Sequence, residues 1–160
     1  MHEADTVKRP EWTQKVVNAV VKAQIYASKN KKEVAHLISQ DGRGYIPLPA
    51  AVVERAITHY DDPDYDKLGA NRHKTEWGND RIDFQPWPYP SATKLIVEAM
   101  TKTVVSGDKT FLDKLSPEFV AQDLVDYSFV KTALGRNPEW KNDPSVNKGD
   151  PFNRVERIEV

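Results

Sequence analysis

The sequence has no cysteine, which excludes disulfide bonds, thiolate catalysis and cysteine-ligated zinc. Glycine is also scarce, with 7 residues, and these form neither a phosphate-binding loop nor a dinucleotide-binding fingerprint. No serine stands in the glycine-flanked pattern of a nucleophile elbow. Because no residues fall into a catalytic pattern, we expect a protein that is not an enzyme and that carries no cofactor.

The sequence has no excess of either charge and no long apolar run. It contains 23 basic and 24 acidic residues, which gives a formal net charge of -1. The densest basic cluster, residues 29–32, falls at a junction between two predicted helices, where a solvated turn is expected. Since phosphate contacts need a clustered basic face, we expect no nucleic-acid partner. We also expect no membrane insertion, because no apolar stretch is long enough to span a bilayer.

One acidic stretch has part of the pattern of a calcium-binding loop. Asp62, Asp64 and Asp66 have the alternate spacing of such a loop. The loop also needs glycine at its sixth position and glutamate at its twelfth, where this chain has Lys67 and His73. We therefore expect a solvated acidic turn and no metal site.

Apolar residues spaced three and four apart predict a mainly α fold. The clearest helix begins at Pro10 and runs to about Ala27. Its inward face is expected at Trp12, Val16, Ala19, Val20 and Ala23. Val17, Val21 and Ile25 widen this face, which suggests that two different neighbours cover the helix. Further helices are predicted over residues 31–39, 49–58, 91–106, 110–115, 116–125 and 126–134, with a glycine turn at 41–44.

Two of these helices have a predicted inward face. In the 49–58 helix it comprises Val52, Val53, Ala56 and Ile57. In the 91–106 helix, which Ser91 is expected to cap, it comprises Leu95, Ile96, Ala99, Met100 and Val104. Gly135 is expected in the left-handed conformation after the last helix.

The prediction is therefore one compact helical domain over residues 1–135. It includes a long irregular segment, residues 59–90, that is rich in aromatic residues and proline. Residues 136–160 are rich in Asn, Asp, Pro and charged side chains, so we expect them to form an extended or partly disordered tail.

The most unusual local feature is the proline strap, residues 86–90, in which every second residue is proline. Alternate prolines fix an extended backbone, and free amides at the start of the next helix favour an anion. The candidate ligand-binding residues are Gln85, Trp87, Tyr89 and Ser91. The alternative, which we favour for the aromatic side chains, is that they pack the strap onto neighbouring helices.

Several stretches carry a resemblance to a known family. They are residues 9–23 (RPEWTQKVVNAVVKA) with 30–40, then 82–85, 90–102, 111–113 and 128–134. Their order resembles the C-terminal part of the nitrate/sulfonate/taurine/bicarbonate group of periplasmic substrate-binding proteins, which serve ABC importers. The resemblance implies that the chain is a fragment of a two-lobed α/β receptor, with a signal peptide upstream in the parent protein.

The same resemblance implies a function. The ligand would be a small inorganic or organic anion, the protein partners would be the membrane subunits of an ABC importer, and the location would be periplasmic. The alternative interpretation is an autonomous helical module that binds a protein partner and no small molecule.

Overall fold

The computed structural model describes residues 2–58, 67, 84–103, 108, 110–111, 114–144, 146–147, 149–150 and 152. These residues form helices, turns and loops, and none of them lies in a strand, which confirms the mainly α prediction. The predicted acidic turn around Asp62 to Asp66 and most of the irregular segment 59–90 lie outside the described residues. No helix in the described ranges is both long and apolar enough to cross a bilayer.

Eight helices are found in the described part of the chain. They are α1 (Glu3–Lys8), α2 (Pro10–Lys29), α3 (Lys31–Ile38), α4 (Ala50–Thr58), α5 (Pro90–Lys102), α6 (Pro117–Asp123), α7 (Tyr127–Gly135) and α8 (Pro138–Asn142). The chain divides into a terminal unit, residues 1–21 with 86–160, and a central unit, residues 22–85.

The central unit is built on the packing of α3 against α4. Its core is formed by Ala35, Val53 and Ile57, and three half-buried apolar residues pack against that core: Ile38, Ile46 and Phe84. Burying these apolar side chains stabilises the helix pair. Val52, expected to face inward with Val53, is about half exposed, so that part of the predicted face is wrong.

The turn between α3 and α4 depends on backbone contacts as the glycine pattern predicts. A Cβ atom at Gly42 would lie 2.3 Å from the carbonyl oxygen of His36, so this position accepts only glycine. Gly44 has a φ of +68°, which glycine adopts without steric cost. The Asp41 carboxylate then accepts a hydrogen bond of 2.7 Å from the amide of Ala50 and so caps α4.

In the terminal unit, polar side chains fix the first half of α2. The hydroxyl of the buried Thr13 donates to the carbonyl oxygen of Asp5 at 3.1 Å, and Gln14 Nε2 donates to the carbonyl oxygen of Phe129 at 3.0 Å. The second bond joins α2 to α7 across more than a hundred residues. Polar residues therefore mark the inner side of this helix.

The predicted inward face of α2 is wrong at Trp12 and Val20, whereas the predicted widening of that face is confirmed at Val21 and Ile25. Val20 is 51% exposed and Trp12 is 46% exposed, whereas Thr13 and Val21 are buried. The physical reason is that valines occur in adjacent pairs, at 16–17 and 20–21, so helical spacing fits two faces equally well. The contacts of Thr13 and Gln14 decide between these two faces.

Helix α5 differs from the prediction at its start and on its inner face. It begins at Pro90, its N-cap residue is Tyr89, and Ser91 lies inside the first turn and caps nothing. Val97 is buried, whereas Ile96 is 59% exposed and Met100 is also exposed. Helix α5 packs on α6, and Lys94 Nζ lies 3.4 Å from Glu118 Oε1 across that contact.

The structure also corrects two other predictions, namely the end of the 91–106 helix and the helix expected over residues 110–115. Helix α5 ends at Lys102, because Thr103 has extended backbone angles, and residues 104–107 lie outside the described range. In the predicted helix over 110–115, Thr110 and Phe111 form a turn and only Lys114 has 3₁₀ geometry. Asp108 accepts from the amide of Thr110 at 2.9 Å, which favours a turn over a helix there.

The next two helices each begin with a side-chain N-cap, of which the cap at Ser116 is expected from the sequence. Ser116 Oγ accepts from the amide of Phe119 at 3.1 Å, and Asp126 Oδ1 accepts from the amide of Ser128 at 2.9 Å. Hydrogen bonds from the Ser128 hydroxyl and amide lower the pKa of Asp126. The ionised cap therefore stabilises α7 at pH values above the usual pKa of aspartate. This contribution is lost as the pH falls through the lowered pKa of Asp126.

The residues after Gly135 differ from the expected extended tail. Gly135 is the last residue of α7 and is not left-handed, since the positive φ angles of described glycines occur at Gly44 and Gly149. Helix α8 follows, and Val146 is 1% exposed. The predicted domain boundary at residue 135 stays a prediction, but the chain beyond it contributes a buried side chain to the terminal unit.

The corrected face of α2 gives a paired prediction. Val21→Asp would bury a carboxylate without a partner, so we expect it to lower the free energy of unfolding by at least about 3 kcal/mol. Val20→Asp is the matched control and should change stability by less than about 0.5 kcal/mol. Thermal melting followed by circular dichroism measures both, and equal destabilisation would contradict the assigned face.

A second prediction follows from the position of Gly135. A Cβ atom there meets no atom within 4 Å, and the residue is helical. We expect Gly135→Ala to stabilise the protein by about 0.5–1 kcal/mol, because alanine loses less backbone entropy in a helix. Urea denaturation checks this, and a loss of stability would show that the helix does not include this residue.

Candidate functional site

The proline strap places Trp87 against the first residue of α7. Pro86 is buried, Trp87 is half-buried, and the ring centroids of Trp87 and Tyr127 lie 5.3 Å apart at an interplanar angle of 37°. Offset and tilted aromatic pairs of this kind contribute stability beyond the area they bury. The contact holds the indole against the start of α7.

Tyr127 is itself held in place. Its hydroxyl donates to the carbonyl oxygen of Ala121 at 3.1 Å, and burial raises the pKa of that hydroxyl. Because the phenol is held through both its ring and its hydroxyl, it is a fixed support for Trp87.

A groove of about 560 Å³ opens beside this ring pair, in the terminal unit. That volume falls within the range of small-molecule sites. The lining comprises three aromatic residues, two lysines, one leucine and three small or amide residues, namely Trp87, Tyr89, Lys131, Leu134, Gly135, Trp140, Lys141, Asn147 and Gly149. The groove is therefore apolar over most of its surface, with a few polar groups placed at its edge.

The two lysines determine the electrostatics of the groove. Lys131 belongs to α7 and Lys141 to α8, both side chains are exposed, and neither forms an ion pair with a residue that the structure describes. Among the described lining residues, none carries a carboxylate. The groove therefore presents a net positive charge, which favours an anion.

The two helices that carry these lysines are connected by a short turn. The side-chain amide of Asn137 donates to the carbonyl oxygen of Ala133 at 2.7 Å, and its backbone amide donates to that of Leu134 at 3.0 Å. Pro138 then occupies the first turn of α8, where its missing amide hydrogen costs nothing. This turn brings Trp140 and Lys141 to the same groove as Lys131.

The far wall of the groove is formed by the segment around Asn147 and Gly149. Gly149 has a φ of +83°, and its amide donates to Asn147 Oδ1 at 3.2 Å. The neighbouring carboxylate of Asp150 accepts from Ser91 Oγ at 2.7 Å and from the amide of Phe152 at 2.9 Å. These contacts connect the wall to the first turn of α5.

The four residues predicted as ligand-binding do not form one cluster. Trp87 and Tyr89 line the groove. Ser91 is outside the lining and bonds to Asp150. Gln85 belongs to the central unit, where its carbonyl oxygen lies 3.5 Å from Gln24 Nε2.

The anion-binding helix start that the sequence suggested is not part of the groove. The amide of Ala92, in the first turn of α5, donates to the carbonyl oxygen of Tyr89 at 3.0 Å. The positive charge at the site comes instead from lysine side chains that the sequence did not single out. The one local signal was the Asn137-Pro138-Glu139 sequence, a typical helix start in the expected tail.

Comparison with known protein families, with characterised proteins and with solved structures finds no match. The residues of the groove therefore provide the basis for a proposed function.

The ring pair leads to a prediction about stability. We expect Trp87→Leu and Tyr127→Leu each to destabilise the protein by about 1–2 kcal/mol, since Trp87 is only half-buried. The double variant should show a coupling free energy of about 1 kcal/mol. Urea unfolding of the four proteins measures it, and strictly additive losses would mean that the two rings do not interact.

Proposed function

We propose that this chain is the helical part of a solute-binding receptor and that the groove of the terminal unit holds a small organic anion. The protein performs no chemistry on the ligand. The observation that carries the proposal is the lining of the groove, which combines three aromatic side chains with two lysines and no carboxylate.

Each part of the lining supplies one component of ligand binding. Trp87, Tyr89 and Trp140 provide apolar area, which gives most of the binding free energy for an organic ligand. Lys131 and Lys141 provide charge-assisted hydrogen bonds, which orient a carboxylate or sulfonate. Because the two ammonium groups form no ion pair within the described ranges, no described partner has to be displaced when an anion binds.

The proposed role as a receptor for an ABC importer is supported by the resemblance of the stretches 9–23, 30–40, 82–102, 111–113 and 128–134 to periplasmic binding proteins. In that context the ligand is delivered to the membrane subunits of the importer, and the protein acts in the periplasm. The chemistry of the groove agrees with the class of solute that the resemblance implies, a small anion.

Isothermal titration calorimetry of the full chain with a panel of organic carboxylates and sulfonates tests the proposal. We expect binding to at least one of them, with Lys131→Gln and Lys141→Gln each weakening it about tenfold or more. Lys15→Gln is the matched control, because Lys15 is an exposed lysine on α2, and it should leave binding unchanged.

Two further results bear on the same proposal. The affinity should fall as the salt concentration rises, because ions screen the lysine charges. Absence of binding across the whole panel, or an equal loss in the Lys15→Gln control, would contradict the assigned site.

A second candidate function is a protein-interaction module, and the outer face of α2 favours it. Trp12 and Val20 are exposed there, and the guanidinium carbon of Arg9 lies 4.7 Å from the centroid of the Trp12 ring. Exposed aromatic residues next to arginine are common at protein interfaces. The double variant Trp12→Ser with Val20→Ser separates the two functions, since it should leave organic-anion binding unaltered if the groove is the ligand site.

A further inference from the structure

The contact between Trp87 and Tyr127 determines more than the position of the strap. One side of the indole packs against the phenol, at a centroid distance of 5.3 Å, and the same indole lines the groove. Because the contact with Tyr127 already restricts the rotation of the indole, the indole loses little further freedom when a ligand stacks on it. The indole of Trp87 thus gives the groove an aromatic surface that is preorganised for stacking.

The other ring side chains of the groove strengthen this feature. Tyr89 comes from the end of the proline strap and Trp140 from α8, so the three rings reach the groove from separate places in the sequence. Aromatic faces attract flat π systems more strongly than saturated rings of equal size. Flat ligands are therefore favoured over saturated ones.

The size and charge of the groove narrow the ligand class further. A volume of about 560 Å³ is far larger than a single inorganic anion needs, and such an ion would leave the aromatic lining in contact with water. Lys131 and Lys141 line the same groove as the indole of Trp87, so one ligand can present a carboxylate to the lysines and a ring to the indole. One molecule with a flat body and a charged edge satisfies both parts of the groove.

We infer that the groove selects a planar aromatic or heteroaromatic carboxylate, whose ring stacks on Trp87 and whose carboxylate meets Lys131 and Lys141. The inference rests on the proposed function, since it names the ligand class of the same groove. Tyr127 is a positioning residue in this arrangement, because it acts on the ligand only through Trp87.

Three matched probes test the inference by isothermal titration calorimetry on the full chain. They are 2-naphthoate, its fully saturated decahydro analogue, and 2-naphthamide, which is flat but uncharged. We expect 2-naphthoate to bind about tenfold more tightly than each of the other two. Equal affinity for the two carboxylates would overturn the inference and leave the proposed function standing, whereas absence of binding by either carboxylate would count against both.

A variant of the supporting ring gives an independent test. Tyr127→Leu should reduce the preference for 2-naphthoate over its saturated analogue from about tenfold to about twofold, with little change for the saturated acid. Tyr127→Phe keeps the ring and should restore the preference. A merely structural role for Tyr127 would weaken both acids equally, and that result would overturn the assignment.

Two controls keep the test interpretable. Trp12→Leu removes an exposed indole outside the groove and should leave the ratio unchanged. If Tyr127→Leu fails to give a cooperative melting transition, Trp87→Leu tests the same stacking surface directly. An unchanged ratio in Trp87→Leu would then contradict the inference.

Discussion

The contact between Trp87 and Tyr127 is the interaction on which the terminal unit and its groove depend. Three of the five strap residues are prolines without an amide hydrogen, so the strap has few donors for backbone pairing and depends on its side chains for attachment. The indole supplies that attachment, and the hydroxyl of Tyr127 fixes the other ring to the carbonyl oxygen of Ala121. Strap, α6 and α7 are thereby joined through two aromatic residues.

The helices themselves could be predicted from the sequence, because proline starts, capping residues and apolar spacing act over a few neighbouring residues. Pro10, Ser116 and Asp126 each stand at or just before the helix start that they predict. Which face of a helix is buried depends on distant partners. For α2 the paired valines fit two faces, and only the bond from Gln14 to Phe129, far along the chain, decides between them.

The candidate site was harder to predict than the helices, for a related reason. Trp87 and Tyr89 stand out in the sequence because of the prolines beside them, and both line the groove. Lys131, Trp140 and Lys141 have no such local pattern. Trp140 and Lys141 reach the groove through the turn at Asn137, whose side-chain amide donates to the carbonyl oxygen of Ala133 in α7, and composition alone suggested an extended tail there.

The bond between Ser91 and Asp150 has a consequence for the rate at which a ligand can enter and leave. It is exposed to water, so breaking it exchanges one hydrogen bond for others of similar strength, whereas Val146 remains anchored in the core. Local opening of the wall at Gly149 therefore costs much less free energy than global unfolding. Under the proposed function, a ligand would exchange through this local opening without unpacking of the neighbouring helices.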